Sequence, residues 1–290
     1  MLVEKITSRQ NPLVKRFRRV RTGGERHLLF IEGVRLVEDA LSAGAHFESV
    51  AFSPAIETTD RGLSLLDSLQ MVPCRGAAVS KSVMDAIADT ETPQGIAALV
   101  SRPHFEIEDV LSPAPQLIVI ADQLQDPGNL GTLIRTAEAA GVTGFIATRY
   151  TVDAFNLKAL RASMGSALRL PLVTDAKRAE VARLCRERQI KIVATRTPSR
   201  DAAPVIEDVE VLNQIKTYTD ADLRGPVALV LGRESTGIAD EAALEADLFV
   251  EIPMAEGVES LNVAAAGAVL LYEAARQRGF SFPSGPRGEQ

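Results

Sequence analysis

The sequence predicts an α/β protein in two parts: a smaller α/β domain, then a parallel sheet covered by helices on both faces. Three observations carry this. From residue 117 to 280, short continuous apolar runs alternate with helical segments, the pattern of parallel strands buried on both sides. Residues 1–101 hold a separate alternation of strand-like and helical segments. Between them "RPHFEIEDVLSPAPQ" holds three prolines and little periodicity, which reads as a linker over 102–116.

The elements follow in order. "SRQNPLVKRFRRV" predicts a helix opened by Ser8 or Asn11, with Leu13, Val14, Phe17 and Val20 at helical spacing. "TGGER" breaks it. "HLLFIEG" reads as a strand and "VRLVEDALSAG" as a helix closed by Gly44. "FESVAFSP" and "MVPCRGAAVS" are strand-like, with helical "LSLLDSLQ" between them; "KSVMDAIAD" is helical and "QGIAALVSRP" closes the domain as a strand. In the second part the strands are "LIVIAD", "GFIAT", "LPLVT", "KIVAT", "VALVLG" and "LFVEIPM". The helices are "LGTLIRTAEAAG", "NLKALRASMGSA", "AKRAEVARLCRERQ" and "SLNVAAAGAVLLYEAARQRG". Residues 281–290 read as a flexible tail.

Composition narrows the class. Hydrophobic residues make up 46% and charged residues 24% of the 290, enough for a core without staples. Cys74 and Cys185 lie far apart and outside metal-ligand spacing, which points to a reducing compartment and away from disulfides or zinc. His27, His46 and His104 are scattered, so no metal site is expected. No run approaches the ~20 apolar residues of a membrane span, and the first residues lack the apolar core of a secretory signal. A cytoplasmic protein is expected. The net charge of −6 disfavours a nucleic-acid partner, but its distribution does not. Lys5, Arg9, Lys15, Arg16, Arg18, Arg19, Arg21 and Arg26 crowd the first segment, a cluster suited either to phosphates or to a solvated face.

Three segments carry candidate chemistry. "DQLQDPGNLGTLIRTAEAAG" runs from a strand into a helix; Asp126-Pro127-Gly128-Asn129 is turn chemistry, Asn129 is a candidate cap, and Arg135 lies two turns in. In "VALVLGRESTGI", Gly232 ends a buried strand and lets a ligand approach the backbone, while Glu234 is placed to orient an arginine or a hydroxyl. In "EIPMAEGVESLNVAAAGAVLLYEAARQRG", Ser260 or Asn262 caps a helix rich in small residues. Each alone also fits an ordinary turn or cap. Open α/β sheets bind ligands at the carboxyl ends of their strands, where all three lie. The dinucleotide fingerprint and the P-loop are both missing, which disfavours a nucleotide-dependent oxidoreductase and a phosphotransferase.

In this order the three segments resemble the SpoU (TrmH-like) family of RNA ribose 2′-O-methyltransferases, of the SPOUT superfamily. The resemblance covers about residues 117–277 and rests on "DPGNLGTLIRTA", "LGRESTGI" and "IPMAEGVESLNVAAA". "FIEGVRLVEDAL" and "QGIAALV" resemble, more weakly, the L30e-like substrate-binding domain often fused ahead of it. The resemblance implies a parallel sheet whose C-terminal segment threads a deep trefoil knot, S-adenosylmethionine as cofactor, and a homodimer packed through the knot. It implies catalytic roles for Asn129, Arg135, Glu234, Ser260 and Asn262. It implies cofactor contacts at Gly232, Ile252 and Leu261, with Thr195 and Met254 as neighbours. Arg9, Lys15, Arg16, Arg18, Arg19 and Arg35 are the expected RNA contacts. The family casts the residue at Arg135 as general base; a guanidinium with a pKa above ~12 is better suited to hold a phosphate or a developing alkoxide. Ribosomal RNA is the favoured substrate and transfer RNA the second. A non-catalytic RNA-binding or ribosome-assembly factor on the same fold is the competing reading.

Overall fold

The computed structural model describes residues 2–112, 114, 116–196, 215–232 and 246–279. The chain divides into two compact units: Met1–His104 with Phe155–Arg169, and Phe105–Ala154 with Leu170–Gln290.

In the first unit the strands are β1 (Leu2–Ile6), β2 (Leu28–Glu32), β3 (Phe47–Phe52), β4 (Arg75–Val79) and β5 (Ile96–Ser101), in sheet order β1-β4-β3-β5-β2. The sheet is mixed: β4 runs parallel to β1 and β3, and β5 antiparallel to β2 and β3. Helix α1 (Pro12–Arg21) begins where its sequence dictates. Asn11 accepts the Leu13 amide at 2.8 Å, and Pro12 sits at the first position, where no amide is needed. Its apolar stripe, Leu13, Val14, Phe17 and Val20, is buried. It packs with α4 (Lys81–Ile87) over Phe30, Ala97 and Leu99, and Phe17 meets Phe30 edge-on with centroids 6.5 Å apart. Helices α2 (Val34–Ser42) and α3 (Asp60–Gln70) complete the unit's N-terminal part.

The same unit takes in α7 (Leu157–Ser163) and α8 (Ser166–Arg169), a stretch the sequence reading assigned to the second domain. Charge explains part of this. Glu32 is almost fully buried and accepts the Asp89 amide at 2.8 Å, the Thr90 hydroxyl, and Arg161 from α7 at 3.2 Å. A buried carboxylate requires such partners.

In the second unit, β6 (Leu117–Ala121), β7 (Gly144–Thr148), β8 (Leu172–Ala176), β9 (Lys191–Arg196), β10 (Ile215–Thr217), β11 (Val227–Leu231) and β12 (Leu248–Glu251) form, among the described residues, one sheet in the order β10-β12-β9-β11-β6-β7-β8. Every pairing is parallel. One face, with Ile118, Ile120, Ile192, Ala194, Ala228 and Val230, is covered by α9 (Arg178–Glu187) and by α5 (Ile107–Leu111). The opposite face carries α6 (Pro127–Ala139) and α10 (Val263–Gln277), which pack on each other.

Helix α5 lies in the stretch read as a linker. Its turn is closed by a reciprocal capping box between Glu106 and Asp109, and Val110 and Leu111 are fully buried. Cys185 is buried in the same cluster, and burial pushes its thiol up to about 11. A methyl group on Gly144 would stand 2.9 Å from the Val110 carbonyl oxygen and closer still to Val110 Cγ1. We expect Gly144→Ala to destabilise the protein by about 1–3 kcal/mol through overpacking of α5 against β7. Denaturant melts check this; an unchanged midpoint would show that α5 yields freely.

Candidate active site

The carboxyl ends of β12, β9, β11 and β6 are neighbours in that order, because the sheet pairs Val250 with Thr195, Ala194 with Val230, and Leu231 with Ala121. Thr195, Gly232 and Ile252 therefore lie at adjacent strand ends. The Thr195 hydroxyl donates to the Val230 carbonyl at 3.1 Å. Gly232 is buried, and Ile252, Met254 and Leu261 are half-buried. Backbone and partly buried apolar side chains therefore line this edge.

Helix α10 meets β11 and α6 through Gly267, against Leu231 and Leu133, whereas β12 lies beyond β9. From β12 the chain must pass the ends of β9 and β11 to reach α6. That is three strand spacings, roughly 14 Å, and the ten steps from Ile252 to Asn262 reach roughly 33 Å. The segment containing Met254, Ser260 and Leu261 is thus long enough to run past the strand ends, and it finishes at Asn262. There the Asn262 Nδ2 donates to the Asn129 Oδ1 at 2.9 Å, joining residues 133 positions apart. Asn262 also caps α10, its Oδ1 accepting the Ala264 amide at 2.9 Å and the Ala265 amide at 3.4 Å. Gly267 permits the approach: a methyl there would stand 2.5 Å from Leu133 Cδ1 and 3.1 Å from Leu231 Cδ1.

One cap differs from the sequence reading. Asn129 does not cap α6. Asp126 does, accepting the Asn129 amide at 2.8 Å, with Pro127 at the first helical position. Arg135 is exposed on α6, six residues beyond Asn129. That is roughly 120° around the helix and 9 Å along it. Ser260 is exposed. Glu234 and the tail 281–290 lie outside the described residues.

The sequence reading missed a buried ion pair beneath this edge. Asp122 follows β6 and accepts Arg178 Nη2 through both oxygens, at 2.9 and 2.7 Å, and the Thr148 hydroxyl at 2.7 Å. An aspartate directly after a buried strand was visible in "LIVIAD"; nothing near Arg178 marked it as the partner. Arg196 and Glu251, at the ends of β9 and β12, form a longer pair at 3.7 Å.

The basic cluster is partly occupied. Arg16 donates to Glu25 at 3.1 Å and to Glu48 through Nη1 at 2.6 Å, and Arg19 binds Glu25 as well. Hydrogen bonds from Arg19 and Arg16 hold the Glu25 carboxyl below its usual range, and Glu25 and then Glu48 raise Arg16. Arg9 donates to the Ser82 carbonyl at 3.0 Å, and Arg21 to the carbonyls of Ile87 and Ala88. Lys15 and Arg18 are exposed on α1, and Arg35 is exposed on α2. Among the described residues no group of three or more His, Cys, Asp or Glu could hold a metal ion, and no helix is long and apolar enough to cross a membrane.

Comparison with known proteins fits this architecture. Residues 116–272 match the SpoU rRNA Methylase family, and residues 4–98 match the MRM3-like substrate binding domain. The chain is 34% identical to the 23S rRNA (guanosine(2553)-2′-O)-methyltransferase of Bacillus subtilis, over 93% of this chain and 98% of that one. An AdoMet-bound rRNA methyltransferase from Sinorhizobium meliloti superposes with a TM-score of 0.78 at 30% identity, covering 94% of this chain and 98% of that one. The SpoU methyltransferase AviRb of Streptomyces viridochromogenes, in complex with AdoMet, gives 0.77 at 26% identity over 93% and 98%. With strand ends, connecting segment and paired asparagines all in the matched region, the chain belongs to the SpoU rRNA methylase family.

Proposed function

We propose that this protein transfers a methyl group from S-adenosylmethionine to a ribose 2′-hydroxyl of ribosomal RNA in the cytoplasm. One observation carries the reading: the hydrogen bond from Asn262 to Asn129, which draws two of the family's segments together at the edge where strands β12, β9, β11 and β6 end. Ribosomal RNA is favoured because relatives matching nearly the whole chain are named for it. The C-terminal segment is proposed to thread the family's trefoil knot, a reading supported by its passage from β12 to α6. The first unit is proposed to be L30e-like and to recognise RNA shape.

S-adenosylmethionine supplies the methyl group when bound. Gly232, Ile252, Met254 and Leu261, with Thr195 behind them, are proposed to seat it through backbone groups and apolar contact. Asn129, Asn262 and Ser260 would orient the ribose, with Glu234 supporting them. Arg135 would hold the flanking phosphate and the charge developing on the sugar oxygen, since a guanidinium does not readily surrender its proton. A homodimer is proposed. It is supported by the outward stripe of Ala265, Val269 and Tyr272 on α10, which leaves apolar surface half or fully exposed.

Three outcomes test this. Arg135→Ala should abolish transfer of labelled methyl to unmethylated 23S rRNA while calorimetric binding of S-adenosylmethionine stays within about twofold; joint loss of both would contradict the division of roles. Asn262→Asp keeps the acceptor that caps α10 and places a favourable charge at its N-terminus, but removes the donor to Asn129. Its stability should stay within about 1 kcal/mol of the parent while kcat falls at least about tenfold, and retained kcat would detach the asparagine pair from function. Lys15→Glu with Arg18→Glu should weaken RNA binding and lower its salt slope by about 1–2. Arg16→Glu is unsuitable for this test because it breaks the Glu25–Glu48 network.

A further inference from the structure

We propose that Tyr150 is a stacking platform for a nucleobase of the RNA substrate, at the target nucleotide or its immediate neighbour; the proposal rests on the methyltransferase reading above. Tyr150 is 78% exposed in a chain with no Trp and only three Tyr. It is also held at φ 68, in the left-handed region that a bulky side chain disfavours. Leaving a large ring in water on strained backbone is costly on both counts, and such outliers cluster where a ligand is gripped.

The turn that presents Tyr150 is stitched to the loop that leads to Asn129. Gln125 Nε2 donates to the Tyr150 carbonyl at 2.6 Å and to the Gln123 carbonyl at 3.0 Å. The Gln123 amide donates to the Thr151 hydroxyl at 2.9 Å, which donates in turn to the Ala121 carbonyl at 3.1 Å. The Val152 amide donates to the Leu124 carbonyl at 2.8 Å. Residue 126, next along that loop, caps the helix start at Asn129. Strands β6 and β7 are direct neighbours, so the turn stands one strand over from the loop that leaves β6 toward Asn129. The backbone that carries Tyr150 is thus tied to the loop leading to the proposed ribose site.

Its neighbour Arg149 is half-exposed and meets Asp175 at 3.9 Å, with Asp175 itself largely in solvent. Such a pair is weak and easily exchanged for a phosphate. An aromatic face beside an available guanidinium is the combination that binds unstacked RNA: the ring takes a base of any sequence and the cation takes the backbone.

The test uses the full-length protein and three substitutions. Tyr150→Phe keeps the ring and should transfer methyl like the parent. Tyr150→Ala should raise KM for unmethylated 23S rRNA about tenfold or more, with S-adenosylmethionine affinity and sedimentation mass unchanged. Tyr150→Gly should raise KM equally while melting no lower than the parent, because glycine relieves the left-handed backbone. An unchanged KM in the Ala and Gly variants overturns the proposal, as does a Phe variant as impaired as Ala. A changed sedimentation mass would assign Tyr150 to a contact between copies instead. If the unaltered protein binds the cofactor yet methylates no ribosomal RNA, the methyltransferase reading falls and this proposal with it. Methylation with indifferent Tyr150 variants overturns the stacking alone.

Discussion

The close approach of α10 to α6 is the constraint on which the rest of the carboxyl edge depends. Gly267 lies against Leu133 and Leu231, whose side-chain ends would have to shift for a methyl group to fit. Around it Leu130, Leu133, Ile134, Leu270 and Leu271 are fully buried. Each such side chain contributes about 1.5–3 kcal/mol on burial, whereas the Asn262–Asn129 hydrogen bond nets about 1 kcal/mol. Packing therefore brings the two helices together, and the hydrogen bond decides how the asparagines face once they are there. Energy and orientation come from different residues, so substitutions at the asparagines act on the site more than on the fold.

Beneath the edge, the Asp122–Arg178–Thr148 group does for the loops what Gly267 does for the helices. A buried ion pair adds little net stability, but removing one partner leaves a charge stranded at a cost of about 3–5 kcal/mol. The geometry of the β6–α6 loop is thereby fixed before any ligand arrives. The same loop is tied to the turn after β7 by the side chains of Gln125 and Thr151. Loops at a catalytic edge that are held from below need not be ordered at the expense of binding energy.

The second sheet was legible because its strands are buried on both sides and read as continuous apolar runs, from "LIVIAD" to "VALVLG". Strand β1 was not, because Leu2 and Val3 are exposed at a sheet edge and their pattern lacks burial to reveal it. Strand β10 spans only Ile215–Thr217, too short for any period. Helix α5 was hidden among prolines, although its Glu106–Asp109 capping box was written in the sequence. At α6, Asp126 before Pro127 is the stronger helix start, and Asn129 falls inside the first turn instead of capping it. The grouping of Phe155–Arg169 with the first unit had no local signature, since contacts such as Glu32 with Arg161 join residues 129 positions apart.

Charge counting shows the same limit for the RNA surface. Eight basic residues precede Glu32, but a count cannot see which carboxylates fold back onto them. Glu25 lies beyond the helix and Glu48 on a strand, yet both close on Arg16, and Glu25 on Arg19 too. A guanidinium already paired with two carboxylates has much of its charge neutralised locally, so it attracts a phosphate less than an unpaired cation does. Lys15 and Arg18 have water to exchange instead. The electrostatic footprint of the first unit is consequently narrower than its composition suggests. A narrow footprint favours positioning of the RNA over indiscriminate attraction, which suits the ribose methylation proposed for this acidic chain.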